Sequence, residues 1–312
     1  MLQKPNLKLI ISLFSIAFFW GTTYLGMRIG VETIPPILVT SLRNILAGSI
    51  LLSYLLLSDK FEWMTWPRLR RNLIIAFMMI VLANGLTTFA EKYISSGLAA
   101  LISTLSPLCV LLINLGLGHE KFSLKIILGV SLAICGIFLI YQNNLADLFN
   151  PEYRLGIMSI LFAVLMWSSG TVFTKYNSAH PGNMFMNLCV QMLFAGIFML
   201  LLQFIIQPDI KLDTWSLRSS FAVIYLAIFG SVIGYVAYNY ALSQLPSTKV
   251  SIITYANVVV ALLLGWLILD EKLTLKIILA AVLIISGVVV ANYRKRTSAS
   301  VRAQVPVPEI IE

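Results

Sequence analysis

The chain has 312 residues, 59% hydrophobic and only 11% charged, where a soluble domain carries about 25% charged side chains. That composition excludes an ordinary soluble domain and also a disordered chain, which needs low hydrophobicity. The net charge of +9 is spread in ones and twos between apolar runs, so it reads as loop charge that orients membrane spans rather than as a nucleic-acid surface. Cys109, Cys135 and Cys189 all fall inside apolar stretches and imply no disulfide framework.

A crossing helix needs about 20 mostly apolar residues. Ten runs qualify: residues 9–29, 36–57, 72–91, 97–117, 124–141, 155–176, 183–206, 219–241, 247–268 and 275–292. The first follows Lys4 and Lys8 but continues into Gly21-Thr22-Thr23-Tyr24 with no Ala-x-Ala cleavage site, so it reads as a retained span rather than a signal peptide. With the N-terminus inside, fourteen Lys and Arg fall in inner segments and seven in outer ones, Arg43 lying within a span. This excess places both termini on the cytoplasmic side. A polar, Pro-containing tail from Tyr293 to Glu312 follows the last run.

The fifth and tenth runs open with nearly the same words. Glu120-Lys-Phe-Ser-Leu-Lys-Ile-Ile-Leu128 and Glu271-Lys-Leu-Thr-Leu-Lys-Ile-Ile-Leu279 agree at seven of nine positions. The same offset pairs Gly136 with Gly287 and Ala90 with Ala241, while Ser12 to Trp20 matches Ser159 to Trp167 more weakly. Chance convergence of amphipathic turns accounts poorly for a register held through two spans. The unit is five spans long, and an odd number forces the second copy to enter from the opposite face. The expected fold is an all-α membrane protein of ten transmembrane helices arranged as two inverted five-helix repeats, residues 1–146 and 147–292, followed by a cytoplasmic tail, 293–312. Inverted repeats are common in secondary transporters and occur in some channels.

Trp20-Gly21 in the first span, Arg43 in the second, Ser106-Pro107 in the fourth and Gly116-Leu-Gly-His-Glu-Lys121 before the fifth, set in two tandem five-span units, resemble the EamA-type proteins of the drug/metabolite transporter superfamily. The resemblance covers about residues 9 to 292. It implies a ten-helix bacterial inner-membrane transporter with a central cavity lined by both halves. The function it implies is export of small metabolites such as amino acids or amphipathic compounds by alternating access. The second half departs from the pattern where Pro107 is matched by Val258, which leaves open whether the halves bend alike. A passive facilitator or channel and a lipid flippase are the alternatives.

Polar side chains in hydrocarbon are costly unless they face a cavity or the bundle interior. Trp20, Thr22, Thr23 and Tyr24 cluster in the first span, and Trp167, Ser168, Ser169 and Thr171 sit at matching depth in the sixth. Asn84, Thr87 and Thr88 mark the third, and Ser103, Thr104 and Ser106 precede Pro107, which frees a carbonyl near position 103. Tyr235, Tyr238, Asn239 and Tyr240 follow a small-residue surface, Gly230-Ser-Val-Ile-Gly234, suited to helix packing; Tyr255 and Asn257 mark the ninth span, and Asn187 and Gln191 share a face of the seventh. The expected substrate-binding residues are Trp20, Thr23, Trp167, Ser169, Tyr235 and Tyr255; either Trp taken alone reads better as core or lipid-facing, and their symmetric placement beside hydroxyls raises the cavity role to equal standing. Arg43, Glu91, Ser106 and Pro107 are the expected gate or helix-bend residues. Arg43 and Glu91 pair at the outer gate if their helices adjoin; otherwise Arg43 snorkels and Glu91 is solvated. No Asp or Glu lies near the middle of a span, so Glu91 is not expected to be an obligatory proton carrier.

His119 and His180 stand in separate loops, and the sequence has no Cys-x-x-Cys, no P-loop and no paired carboxylates on a span. No enzyme, metal, cofactor, nucleic-acid partner or ATPase subunit is implied. The expected partners are a small-molecule substrate and membrane lipid.

Overall fold

A backbone in hydrocarbon must close its hydrogen bonds internally, and the described residues of the apolar runs are helical in the computed structural model apart from short breaks, with no strand among the described residues. These are residues 7–120, 124–141, 150–177, 182–251 and 253–292. The tail from Tyr293 to Glu312, Lys121 of the repeated motif and His180 lie outside them. The helices are α1 (Leu7–Gly30), α2 (Pro36–Leu57), α3 (Trp66–Ala90), α4 (Ser96–Gly116), α5 (Leu124–Tyr141), α6 (Pro151–Tyr176), α7 (Met184–Ile206), α8 (Leu217–Gln244), α9 (Ser247–Leu269) and α10 (Leu275–Asn292). Eight are long and apolar enough to cross a membrane, while α5 and α10 hold shorter apolar stretches, Ile127–Gly136 and Leu275–Gly287.

Local chemistry sets the helix starts. Ser95, Asn150, Asn183 and Ser216 each accept a hydrogen bond from an amide of the following first turn, satisfying donors that have no partner within the helix. Pro36, Pro67 and Pro151 occupy first-turn positions, where the missing amide is harmless. Two irregularities recur in both halves. The middles of α3 and α8 widen into π-helical turns, Phe77–Asn84 and Leu226–Ile233. Helix α4 breaks between Ser103 and Ser106, and α9 between Ser251 and Thr254. At these breaks the amides of Thr104 and Ile253 bond carbonyls only three residues back, at 3.1 and 3.2 Å. The first break sits just before Pro107. The second forms with Val258 in proline's place, so both halves bend although only one carries the proline.

The halves pack through each other. Helix α2 lies against α7 and α5 against α10; α1 meets α9 as α6 meets α4; α1 meets α8 as α6 meets α3. The α2–α7 crossing is reciprocal to the residue. A Cβ on Gly48 would stand 2.6 Å from Leu193 Cγ, and one on Gly196 would stand 2.7 Å from Ile45 Cγ1 and 2.8 Å from the Ile45 nitrogen. Only glycine permits that approach.

Contacts between loops sort them to two ends. At one end Arg68 pairs with Glu62 at 2.6 Å, Glu62 accepts from the Asn183 amide, and Asn114 Nδ2 donates to Ser247 Oγ at 3.3 Å. At the other, the Ser216 amide donates to Thr33 Oγ1 at 3.0 Å, and Glu271 receives the Ser96 amide and hydroxyl at 2.8 and 2.9 Å and the Gly97 amide at 3.1 Å. Helix α4 thus starts beside the end of α9 and finishes beside its beginning. The Glu of the second repeated motif is the anionic cap of α4, complementing the positive end of the helix dipole. Its backbone follows the same path in both copies: the Glu120 amide bonds Asn114 O at 3.2 Å and the Glu271 amide bonds Gly265 O at 3.1 Å. Glu271→Ala removes the acceptor for three donors. It is expected to destabilise the fold by about 1–3 kcal/mol, seen as a lower thermal midpoint of the detergent-purified protein, whereas Lys272→Ala should leave the midpoint unchanged.

Candidate functional site

Residues at i, i+3, i+4 and i+7 share one face of a helix, and Trp20, Thr23, Tyr24 and Met27 present such a face of α1 to a central cavity of about 100 Å³. Asn84 and Thr87 of α3, Ser103 and Ser106 at the α4 break, Trp167 of α6, Tyr235 of α8, Asn257 of α9 and Arg43 of α2 complete its polar and aromatic lining. Both halves contribute, and the π-helical turn of α3 and the break of α4 line it directly through Ala83, Asn84, Ser103 and Ser106.

Its floor is aromatic. The Trp20 and Trp167 rings meet edge to face with centroids 5.2 Å apart; Tyr235 stands 5.7 and 5.9 Å from them and Tyr238 5.0 and 5.3 Å. Each such pair contributes about 0.5–1.5 kcal/mol beyond its area. Trp20 Nε1 donates to the Gly230 carbonyl at 3.0 Å, and a Cβ on Gly234 would lie 2.2 Å from that nitrogen. Tyr238 shares a hydrogen bond of 2.6 Å with Thr171, tying α8 to α6.

One polar chain crosses the cavity wall. Arg43 is 2% exposed; its Nε donates to Ser231 Oγ and its Nη1 to Asn84 Oδ1, both at 3.1 Å. Asn84 Nδ2 in turn donates to Tyr235 Oη at 3.4 Å, and Tyr235 Oη to Met79 O at 3.5 Å. Asn84 and Ser231 lie in the π-helical turns of α3 and α8, backbone irregularities often found at functional sites. On the far wall Ser106 and Ser168 hydroxyls are 3.2 Å apart, and the Asn257 amide, oriented to donate, reaches the Ala17 and Ile16 carbonyls at 3.0 and 3.3 Å.

Beyond the aromatic floor lies a second cavity, about 430 Å³, lined by Arg71, Ile75, Thr174, Lys175, Asn187, Gln191 and Asn239 among others. Arg71 donates to the carbonyls of Thr174 and Asn177, and Lys175 to that of Leu242. Along α3, α6 and α8, the residues Ile75, Thr174 and Asn239 lie toward this second cavity, a vestibule at the end of the bundle that holds Arg68 and Asn183; Ala83, Trp167 and Tyr235 lie toward the central cavity, and Met79, Thr171 and Tyr238 fall between.

Of the expected binding residues, Trp20, Thr23, Trp167 and Tyr235 line the central cavity, as do Arg43 and Ser106. Ser169 and Tyr255 are half-buried outside the lining, the Tyr255 hydroxyl without a hydrogen-bond partner. Pro107 is buried behind the α4 break. The expected Arg43–Glu91 pair does not form, and neither residue is solvated: Glu91 is fully enclosed at the end of α3, both carboxylate oxygens without hydrogen-bond partners, while Arg28 donates to its backbone carbonyl. The reason is depth. Glu91 stands seven residues beyond Asn84, about 10 Å further along the helix, and Arg43 reaches the level of Asn84. In the sequence Ser231 is legible only as part of a helix-packing surface and Tyr238 only as a tyrosine that follows it, because no local pattern announces a π-helical turn.

Residues 7–142 and 154–293 each match the model of the EamA-like transporter family. The chain belongs to that family. The uncharacterized inner membrane transporter YedA of Escherichia coli (strain K12) is 32% identical over 267 residues, 84% of this chain and 83% of that one. The uncharacterized transporter YoaV of Bacillus subtilis (strain 168) is 24% identical over 281 residues, 90% and 95% of the two chains. A solved crystal structure superposes with a TM-score of 0.68 over 91% of this chain and 96% of that one at 18% identity, which shows a shared fold. This EamA-type chain is a multi-pass membrane protein of a transporter family. Asn84→Leu leaves a buried guanidinium with one partner and Tyr235 with a weaker one, an expected loss of about 1–3 kcal/mol. Thr87→Val removes only a bond within its own helix and should shift the thermal midpoint far less.

Proposed function

We propose that this chain is a secondary transporter of the bacterial inner membrane that crosses ten times, as inverted repeats 1–146 and 147–292 with both termini and the tail 293–312 cytoplasmic. Its proposed task is export of small metabolites, such as amino acids or amphipathic compounds, by alternating access. The observation that carries this reading is the reciprocal packing of the two halves around one cavity, since halves related in this way can exchange conformations and open a shared site to each side in turn. Inversion is supported by the opposed directions of α4 and α9, whose sequences and break geometry correspond. Ten crossings are supported by α5 and α10, each 18 residues long, or about 27 Å, near the roughly 30 Å of the hydrocarbon core. The E. coli relative's name places that protein in the inner membrane, and the Lys and Arg excess sets the orientation. The aromatic floor between cavity and vestibule suits the role of inner gate.

The decisive assay is counterflow in liposomes holding the purified protein and a metabolite panel. Labelled solute should accumulate transiently against an excess of the same solute inside, and Trp20→Ala or Trp167→Ala should slow exchange at least about ten-fold, or about 1.4 kcal/mol, at unchanged expression. Flux without counterflow would identify a channel, and movement of labelled lipid a flippase. Topology has its own check: in intact cells an impermeant thiol reagent should spare a single cysteine at Lys60 and label one at Asp213. The reverse pattern would overturn the orientation.

A further inference from the structure

Arg43 is the unusual group of the central cavity. A guanidinium offers five N–H donors and a charge that neutral dipoles do not cancel, and an ionised side chain at this depth ordinarily has a charged partner or a function. Here Nε and Nη1 meet a hydroxyl and an amide oxygen, while Nη2 has no hydrogen bond and no carboxylate lies within ion-pair distance among the described residues. The cavity lining contains no acidic residue. Nor does that of the vestibule, where Arg71 and Lys175 stand with carbonyl partners only.

Packing alone does not call for this charge. The reciprocal Gly48–Leu193 and Gly196–Ile45 contacts fix the correspondence between α2 and α7, and in that register Arg43 is matched by Gln191. Gln191 is equally buried and donates to Asn72 Oδ1 at 2.6 Å. A neutral amide therefore serves at the equivalent place in the other half, and the charge is particular to the half whose side chain opens on the central cavity.

We propose that Arg43 anchors a carboxylate of the transported solute, and that the chain selects carboxylate-bearing compounds with an apolar body over the matching amides and amines. The inference rests on the transport reading above and narrows it. The vestibule cations draw the anion in from solvent by raising its local concentration. The Nη1–Nη2 edge of the guanidinium, with Nη2 unbonded, suits the planar, two-oxygen geometry of a carboxylate. Trp20, Trp167 and Tyr235 supply the apolar wall, and Asn84 holds Arg43 and Tyr235 in one register so that anchor and wall keep a fixed separation.

The test uses matched pairs differing only in the charged end: benzoate and benzamide, hydrocinnamate and hydrocinnamamide, leucine and leucinamide. Thermal midpoints of the purified full-length chain are titrated with each, since a ligand of the folded state raises the midpoint. At least one acid should stabilise the wild type at concentrations about ten-fold or more below its amide, the ratio a charge-assisted hydrogen bond supports. Arg43→Gln should abolish that ratio, and Arg43→Lys should keep the preference with weaker affinity. If Arg43→Gln does not fold, the wild-type ratios and Arg43→Lys decide. Equal response to acid and amide, no response to any acid, an acid preference surviving in Arg43→Gln, or an Arg43-dependent shift produced by chloride alone overturns the inference. Counterflow of the same pairs separates the two claims. Exchange of amides as readily as acids removes the carboxylate anchor and leaves transport standing, whereas Arg43-dependent binding of acids without exchange keeps the anchor and removes transport.

Discussion

Inside a hydrocarbon layer a polar group has no water to turn to, so every hydroxyl, amide and guanidinium needs a protein partner or a cavity. Two solutions serve many of the polar side chains of this molecule. Short hydroxyls fold back on their own helix: Thr22 onto Phe19 O, Thr23 onto Trp20 O and Ser103 onto Ala99 O, at 2.7 to 2.8 Å. Others cannot be satisfied that way and reach into the other half, as Ser41 does to Gly196 O at 2.8 Å, Ser219 to Ile29 O at 2.7 Å and Trp20 to Gly230 O. Hydrogen bonding thereby fastens the halves together.

The spans were legible because an apolar run of sufficient length has few other readings. Pro36 to Leu57 even kept both boundaries, and the tenth run its start at Leu275, since Pro35-Pro36, Ser58-Asp59 and the Glu271-Lys272 turn punctuate them. The proline-marked break in α4 was legible for the same reason. Its counterpart in α9 was not, because position 258 is valine and no missing amide marks the bend. In the site, Trp20 and Trp167 could be found because the repeat doubled a signal that one Trp would not have carried. Arg43 stands out in the sequence but its partners do not: sequence offers the nearest acid, while depth and the π-helical turns decide which side chains share a level.

A shared scaffold carries unshared chemistry. Backbone irregularities, glycine contacts and helix pairings repeat between halves, yet Arg43 is matched by Gln191 and Pro107 by Val258. Duplication fixes the frame that both copies need, and the positions that differ are those free to specialise around the cavity. Reading one half against the other therefore separates what the fold requires from what the site requires, using a single chain.

The Glu271 cap of α4 also has a consequence for how the protein is made. Its carboxylate lies 175 residues after the Ser96 amide it receives. At about 5–20 residues per second of synthesis, some 9 to 35 s separate the two. Through that interval the start of α4 has been built while its acceptor does not yet exist, and those amides must be served by water or headgroups. The first five helices consequently leave the ribosome unfinished. The arrival of the loop after α9 is the event that locks an early helix in place, so assembly is completed from the end of the chain backward.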